Sequence, residues 1–256
     1  MKQSSINLKY ILLLFAVWFA LPGKLLAQQA SFLTAGRVEY EKKINQHRII
    51  EEEGEENFWV AEQKKWLTKV TTDFYELKFN DHRSSFKLLR ENTDNKYFWG
   101  AKPSDTDVAV QDLQNQRVII QRDVFENTYL ITDSMRTINW RITNETRTIA
   151  GFECKKAVGI ICDSVYVVAF YTDEIIASTG PESIGGLPGL ILGLAVPRLH
   201  TTWFATKVEL TTPAETELTP KQKGKKITYR DLVIELNKGV KDWGKEGAKR
   251  IWAAVL

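Results

Sequence analysis

The feature that most constrains the fold is a series of short apolar segments in the second half of the chain. They cover residues 108–113, 117–124, 128–132, 139–142, 152–161 and 165–171, and Asn, Asp or Ser separates them. A spacing of about eight to twelve residues between such segments is typical of an antiparallel meander. Similar segments near 36–41, 75–79, 84–89, 190–194 and 200–210 predict further strands. The chain is therefore predicted to fold around an antiparallel sheet.

Two helices are predicted beside this sheet. The first covers about 57–72, where an apolar stripe is expected to face the core. Its members are Trp59, Trp66, Leu67, Val70 and Phe74. The second covers about 229–254, although three glycines weaken its latter half. The predicted fold class is α+β, with a curved, half-barrel-like sheet, one early helix and one C-terminal helix in a single domain over 28–256.

Residues 1–27 have the order of parts of a secretory signal peptide. Two lysines precede an unbroken apolar run over 10–21, Pro22 and Gly23 follow it, and Ala27 provides a small residue for cleavage. A run of this length rises only about 18 Å as a helix, against roughly 30 Å for a hydrocarbon core. We therefore expect export to the periplasm or envelope, with no transmembrane span in the mature chain.

The charge balance excludes some partners. Without the three lysines of the leader, the chain has as many basic as acidic residues. A neutral surface argues against general binding of nucleic acid or of anionic lipid.

No catalytic or metal-ligand spacing is recognisable. The three histidines stand in no known motif, and neither Gly-x-Ser-x-Gly nor His-Glu-x-x-His occurs. The acidic run 51–56 is interpreted as a solvated loop, with calcium binding as the alternative. We predict no catalytic residue, no metal site and no cofactor.

Two cysteines in an exported chain raise the question of a disulfide. If 152–161 is a straight strand, Cys154 and Cys162 lie about 26 Å apart, whereas a bridge needs Cα atoms within about 7 Å. We therefore expect both thiols to be unbridged within one molecule, with Cys154 buried in the sheet.

The segment 180–191 is the most distinctive stretch, because four glycines and two prolines occur within twelve residues. Pro188 and Gly189 suit the centre of a type II turn, in which Gly189 takes a positive φ. Leucine and isoleucine anchor the turn in the core. The predicted structural turn consists of Gly186, Leu187, Pro188, Gly189, Leu190 and Ile191.

These six residues spell the motif of the GLPGLI family of exported Gram-negative proteins, which the chain resembles over most of its mature length. The segment 149–157 is similar to another block of that family, as are Tyr171-Thr172, Glu174-Ile175 and Gly180-Pro181. The chain departs from the pattern at Phe170 and Asp173. The resemblance implies export and a common fold, and it implies no particular activity.

Three functions are compatible with the sequence. The first is a non-enzymatic envelope module that binds or carries an apolar or lipid-like ligand in the concavity of the sheet. The residues expected to line it are Phe152, Val167, Phe170 and Tyr171. The second is an accessory protein of an outer-membrane transport system, and the third is an envelope hydrolase. An apolar ligand or an outer-membrane component is therefore the expected partner.

Export gives the first testable prediction. The mature N-terminus is expected near Gln28, because Ala27 follows the apolar run at the distance that signal peptidase requires. N-terminal sequencing of protein from the envelope fraction measures it. An intact Met1 on that protein would contradict the prediction.

Overall fold

A computed structural model describes residues 33–53, 58–98, 101–162 and 164–256. The predicted leader lies outside these residues, as does part of the acidic run 51–56, so leader cleavage stays a prediction. Within the described part of the chain, no helix is both long and apolar enough to cross a bilayer.

The described residues form one sheet of twelve strands in the order β12-β6-β5-β4-β3-β2-β1-β11-β10-β9-β8-β7. Neighbouring strands are antiparallel, except that β12 runs parallel to β6. The strands are β1 (Gly36–Asn45), β2 (Val70–Phe79), β3 (Arg83–Arg90), β4 (Val108–Asp112), β5 (Arg117–Val124), β6 (Asn127–Ser134), β7 (Arg141–Ile149), β8 (Phe152–Ile161), β9 (Val165–Thr172), β10 (Leu190–Val196), β11 (Thr201–Glu209) and β12 (Lys225–Ile227).

The sheet is open. Strands β12 and β7 stand at the two ends of the order, and no pairing joins them among the described residues. The prediction of an α+β fold built on an antiparallel sheet is confirmed, and the sheet is not a closed barrel.

The helices differ from the prediction. They are α1 (Gln46–Glu53), α2 (Phe58–Trp66), α3 (Glu215–Leu218), α4 (Tyr229–Gly239) and α5 (Gly244–Val255). The single early helix over 57–72 is wrong, because α2 ends before residue 67 and β2 begins at residue 70. The single C-terminal helix is also wrong, since two helices occupy that stretch and the first of them ends at a glycine.

The apolar stripe of the predicted helix does not exist as one face. Trp66 is 56% exposed and Val70 is 40% exposed, whereas Leu67 is buried. Phe74 lies in β2 with the Arg90 guanidinium over its ring. The spacing crosses a junction from helix to strand, so a helical period has no meaning there. The side chain of Trp59 lies outside the described residues.

Strand alternation explains the core. In β1, Val38 and Tyr40 are fully buried, while the glutamates on either side of Tyr40 are partly exposed. Their partners in β2 are Leu77 and Tyr75, which lie on the same side because paired residues of antiparallel strands share a face. We call this side the inner face of the sheet.

One end of the sheet curls strongly. The Arg147 guanidinium of β7 lies 4.9 Å from the ring centre of Phe204 in β11. These strands are four steps apart, which is about 19 Å in a flat sheet. Gly193 allows the curl, because a Cβ there would lie 3.0 Å from Ile149 Cδ1 and 2.8 Å from the Phe204 ring.

Residues 177–187, which we call the crossing segment, run over the inner face. Thr179 and Ser84 hydroxyls hydrogen bond at 2.8 Å, and Gln111 Nε2 donates to the Ser183 carbonyl at 3.0 Å. Residues 179–185 are buried. The segment is therefore part of the interior, although it contains neither a strand nor an α-helix.

The hexapeptide 186–191, which overlaps the end of the crossing segment, is anchored in the core as predicted. The prediction of its turn geometry is wrong. Leu187, Leu190 and Ile191 are buried. The positive φ lies at Gly186 (87°) and not at Gly189. Gly189 is needed for space, because a Cβ there would overlap the Thr172 carbonyl oxygen and lie 2.8 Å from its carbon.

The cysteines lie where strand geometry predicts. Cys154 is buried in β8, and Cys162 is exposed just beyond its end. No disulfide joins these two described residues. Burial is the main cause that raises the pKa of the Cys154 thiol to about 12, so this thiol is unreactive at neutral pH.

The close approach at Gly189 predicts a large effect of a side chain. Gly189→Val is expected to lower the free energy of unfolding by about 1–3 kcal/mol through overpacking against a backbone carbonyl. Leu190→Val, the matched control, should cost about 0.5–1.5 kcal/mol for one lost methylene. Denaturant unfolding of both variants measures the difference. Equal stability with lost function in the first variant would instead indicate a chemical role for this loop.

Candidate functional site

A cleft of about 370 Å³ opens on the inner face between the sheet, the crossing segment and α5. Strands β1 to β5 and β11 contribute its walls. Its floor is formed by Lys42, Asp73, Tyr75, Arg122, Glu182 and Trp203, which we call the floor residues. Basic residues of its rim include Lys102, Arg198, Lys249 and Arg250.

Sheet register brings half of the floor together. Lys42 of β1 pairs with Trp203 of β11 on one side and with Asp73 of β2 on the other. The Lys42 ammonium lies 5.0 Å from the Trp203 ring centre and 5.2 Å from that of Tyr75. An ammonium at this distance is attracted to the faces of both rings.

The crossing segment supplies the acidic centre of the floor. Glu182 is 4% exposed, and its carboxylate accepts hydrogen bonds from Lys42 Nζ and Arg122 Nη2, both at 3.0 Å. Burial alone would raise the pKa of Glu182. The two cations outweigh burial and lower the pKa to about 2. Glu182 is therefore ionised at any physiological pH.

The backbone that carries this carboxylate is strained. Glu182 and Ser183 have φ values of 52° and 59°, in a region that non-glycine residues rarely occupy. Such a residue costs on the order of 1–3 kcal/mol, and residues of this kind cluster at functional sites.

Arg122 links the floor to a second carboxylate. Its Nη1 lies 3.6 Å from Asp107 Oδ2, and Asp107 Oδ1 accepts the backbone N–H of Asp123 at 2.8 Å. Burial raises the pKa of the Asp107 carboxyl, and the Arg122 charge offsets that rise only in part. The pKa of Arg122 is raised despite its burial, because Glu182 and Asp107 stabilise its charge.

Asp73 presents an unused acceptor. Its Oδ1 accepts from Asn92 N at 3.0 Å, Asn95 Nδ2 at 3.1 Å and Tyr97 Oη at 2.6 Å. Burial, followed by this hydrogen bond, raises the pKa of Tyr97. No described residue donates a hydrogen bond to Asp73 Oδ2, which leaves that oxygen available to a ligand hydroxyl.

Two buried donors of the floor also have no partner. Arg122 Nε and Trp203 Nε1 find no hydrogen-bond acceptor among the described residues. An unpaired buried donor costs about 1–3 kcal/mol. The floor therefore combines aromatic rings with unused donors and an unused acceptor, which suits a ligand rich in hydroxyl groups.

The residues that the sequence predicts for ligand binding lie elsewhere. Val167 and Tyr171 are buried in β9, whereas Phe170 packs near Phe204 with ring centres 6.2 Å apart. Phe152 is partly buried at the start of β8. None of these four residues lines the cleft, and their role in binding stays a prediction.

Sequence reasoning missed the floor residues, although a signal was present. Lys42, Asp73 and Arg122 occupy inward positions of strands, where apolar residues are the rule. Glu182 is the one charged residue of the sequence between 175 and 197. A charge at such a position requires a buried partner.

Among the described residues, no three His, Cys, Asp or Glu side chains lie close enough together to hold a metal ion. The residues of the cleft can support hydrogen bonding, ion pairing and ring stacking, and Asp107 adds a carboxyl whose pKa is raised.

Comparison with protein families gives a match over most of the chain. The family described as N-glycanase peptide, N-terminal domain, matches residues 38–231, which include every floor residue. No curated protein matches the chain.

A solved structure of PNGF-II shares the fold. PNGF-II in the P21 space group is similar over 77% of this chain, with a TM-score of 0.50 and 16% identity. The C2 form of PNGF-II matches over 82% with a TM-score of 0.49 and 15% identity. An uncharacterized conserved protein from Thermus thermophilus matches over 77% with a TM-score of 0.39 and 7% identity, and this chain covers 91% of it. This chain spans only 32% of each PNGF-II chain.

The resemblance to the GLPGLI family is wrong. The segments that carried it lie within residues 38–231, which match a different family. A hexapeptide of glycine, proline and aliphatic residues meets a local packing need, as Gly189 illustrates, and that need does not identify a family.

The ion cluster of the floor predicts a pH-dependent contribution to stability. The pKa of Glu182 falls from an ordinary 4.5 to about 2 on folding. Its contribution of about 3 kcal/mol is thus present above pH 4.5 and is lost as the pH falls toward 2. Glu182→Gln should lower the free energy of unfolding by about 3–5 kcal/mol at about pH 7, and this gap should narrow below pH 4.5.

Denaturant unfolding from about pH 7 down to about pH 2 measures the gap. The matched control is Glu145→Gln, which removes an exposed partner of Lys156 and should change stability by less than about 0.5 kcal/mol. A gap that stays constant with pH would contradict the assigned ionisation.

Proposed function

This chain belongs to the N-glycanase peptide, N-terminal domain, family, and from that premise we propose that it binds a glycan of the N-linked type in the cleft of the inner face. The family's name refers to an N-glycanase, an enzyme of glycan chemistry. The observation that carries the proposal is the floor itself, since all six of its residues fall within the matched region.

The composition of the floor supports a sugar ligand. Sugars offer hydroxyl groups, which both donate and accept, and apolar C–H faces, which pack on aromatic rings. Asp73 Oδ2 supplies an acceptor, and Tyr75 and Trp203 supply rings. Glu182, Lys42 and Arg122 are paired with one another, so they orient a polar ligand without leaving a bare buried charge.

The size of the cleft fits the same interpretation. Ligand pockets commonly have volumes of about 300–1,000 Å³, and about 370 Å³ holds a short saccharide segment. The half-barrel-like concavity predicted from the sequence would place this segment on the inner face, where the cleft opens. The charged floor favours a polar ligand over an apolar one.

Glycan hydrolysis is the second candidate, and Asp107 is the observation in its favour. Burial raises the pKa of this carboxyl at the cleft wall, and a raised pKa suits a general acid. Glu182 is unsuited to that role, because its pKa is about 2. The neighbouring Arg122 makes Asp107 a weaker acid–base candidate than an unpaired carboxyl, and we therefore favour binding.

We further propose that the chain acts outside the cytoplasm, at the periplasm or envelope, as its predicted leader indicates. Glycans on exported proteins are accessible there. An accessory role beside an outer-membrane transport system is compatible with this location and stays a prediction.

Isothermal titration with a defined N-glycan and its glycopeptide tests the proposal. Asp73→Asn should weaken binding by about tenfold, because the amide keeps an oxygen for Asn92, Asn95 and Tyr97 but replaces Oδ2 by a donor. Asp81→Asn, at an exposed position, is the matched control and should bind normally.

Both variants are first checked for an unchanged melting curve, and mass spectra of the titrated glycopeptide report hydrolysis. Released glycan that depends on Asp107 would favour the hydrolase. No binding and no release by the folded chain would refute a glycan function of the cleft.

A further inference from the structure

We infer that the saccharide bound in the cleft carries an acidic group, a carboxylate or a sulfate, and that Arg198 at the rim receives it. This inference rests on the proposed function and names its ligand class more narrowly. It is carried by the charge of the lining, the state of Arg198 and the unused donors of the floor.

The lining has more cations than anions. Seven lysines and arginines line the cleft, against four aspartates and glutamates. Two of these anions, Glu182 and Asp123, are already satisfied within the protein. Glu182 accepts from Lys42 and Arg122, and Asp123 accepts from the hydroxyls of Ser104, Thr106 and Thr128. A ligand anion therefore meets little repulsion from them.

The cations differ in their partners. Lys249 Nζ pairs with Glu52 Oε2 at 2.6 Å. Lys87 Nζ lies 3.4 Å from Oε1 of Glu76, a residue that does not line the cleft. Arg198 forms no ion pair with a described acidic side chain. Its guanidinium lies 5.0 Å from the ring centre of Trp252.

The position of Arg198 suits recognition of an anion. A guanidinium held against an indole ring keeps its charge and has less rotational freedom to lose when a ligand binds. Its planar fork matches the two oxygens of a carboxylate or sulfate. Arg198 is exposed in the short turn Pro197–Leu199, immediately before β11, whose Trp203 belongs to the floor.

The unused donors of the floor also favour an acidic ligand. Arg122 Nε and Trp203 Nε1 lack acceptors among the described residues, and both side chains line the cleft. A ligand rich in acceptor oxygens relieves this deficit better than one with an equal number of donors. An ionised carboxylate or sulfate group adds such oxygens without adding donors.

The test compares glycans with and without an acidic residue or group. Isothermal titration of the whole chain uses a biantennary N-glycan with terminal sialic acid, the same glycan without it, a sulfated counterpart, and sodium sulfate alone. The acidic glycans are expected to bind about tenfold more tightly than the neutral one, as one charge-assisted hydrogen bond implies. Raising the salt from about 0.05 M to about 0.3 M should weaken only the acidic ones.

Variants locate the effect. Arg198→Gln should remove most of the preference for acidic glycans, so that acidic and neutral glycans bind with nearly equal affinity. Arg198→Lys should keep part of the preference. Arg230→Gln, an exposed arginine of α4 outside the cleft, is the matched control and should keep all of it.

The outcomes separate the two proposals. Equal affinity for neutral and acidic glycans overturns the inference and leaves the glycan-binding function standing. Binding of sulfate without binding of any glycan overturns both proposals, and so does the absence of any binding. A preference that survives Arg198→Gln, or that Arg230→Gln also removes, overturns the assignment to the rim.

Discussion

The buried ion cluster of Lys42, Glu182 and Arg122 is the interaction on which the rest of the interior depends. It joins β1, the crossing segment and β5, which are far apart in sequence. The segment contributes no strand or α-helix, so side-chain bonds must hold it. The cluster also offsets the strained backbone at Glu182, whose φ of 52° would otherwise relax.

Such a cluster is an expensive way to stabilise a fold. Burying three charges costs several kcal/mol per ion, and well-packed apolar residues often do as well. An apolar replacement would, however, leave the cleft without polar groups. With the cluster in place, the floor presents charged groups and two aromatic rings to a ligand. Each buried charge also has a partner of opposite sign. The same contacts thus explain both the position of the crossing segment and the polarity of the cleft.

Much of the sheet could be predicted, because alternation is a local property of sequence. Strands such as β1 and β8 lie where their patterns indicate. The prediction of a single early helix was wrong, since the spacing from Trp66 to Phe74 crosses a helix–strand junction and mimics a helical period. The site could not be predicted for a different reason. Which strands become neighbours across long connections, as β1 and β11 do, is a tertiary property, and without it Lys42 and Trp203 cannot be paired.

The sequence nevertheless contains a signal of the site that the alternation of strand residues reveals. Lys42 follows Val38 and Tyr40 at a spacing of two, and Arg122 follows Val118 and Ile120 in the same way. A charged residue that continues an inward-facing series must find a counter-charge, and the acid that interrupts an apolar, glycine-rich segment is the natural partner. The distinctive hexapeptide then has a mechanical role. Its buried leucines and its crowded Gly189 fix the end of the crossing segment, and the chemistry lies upstream, in the glutamate that this anchoring holds between two cations.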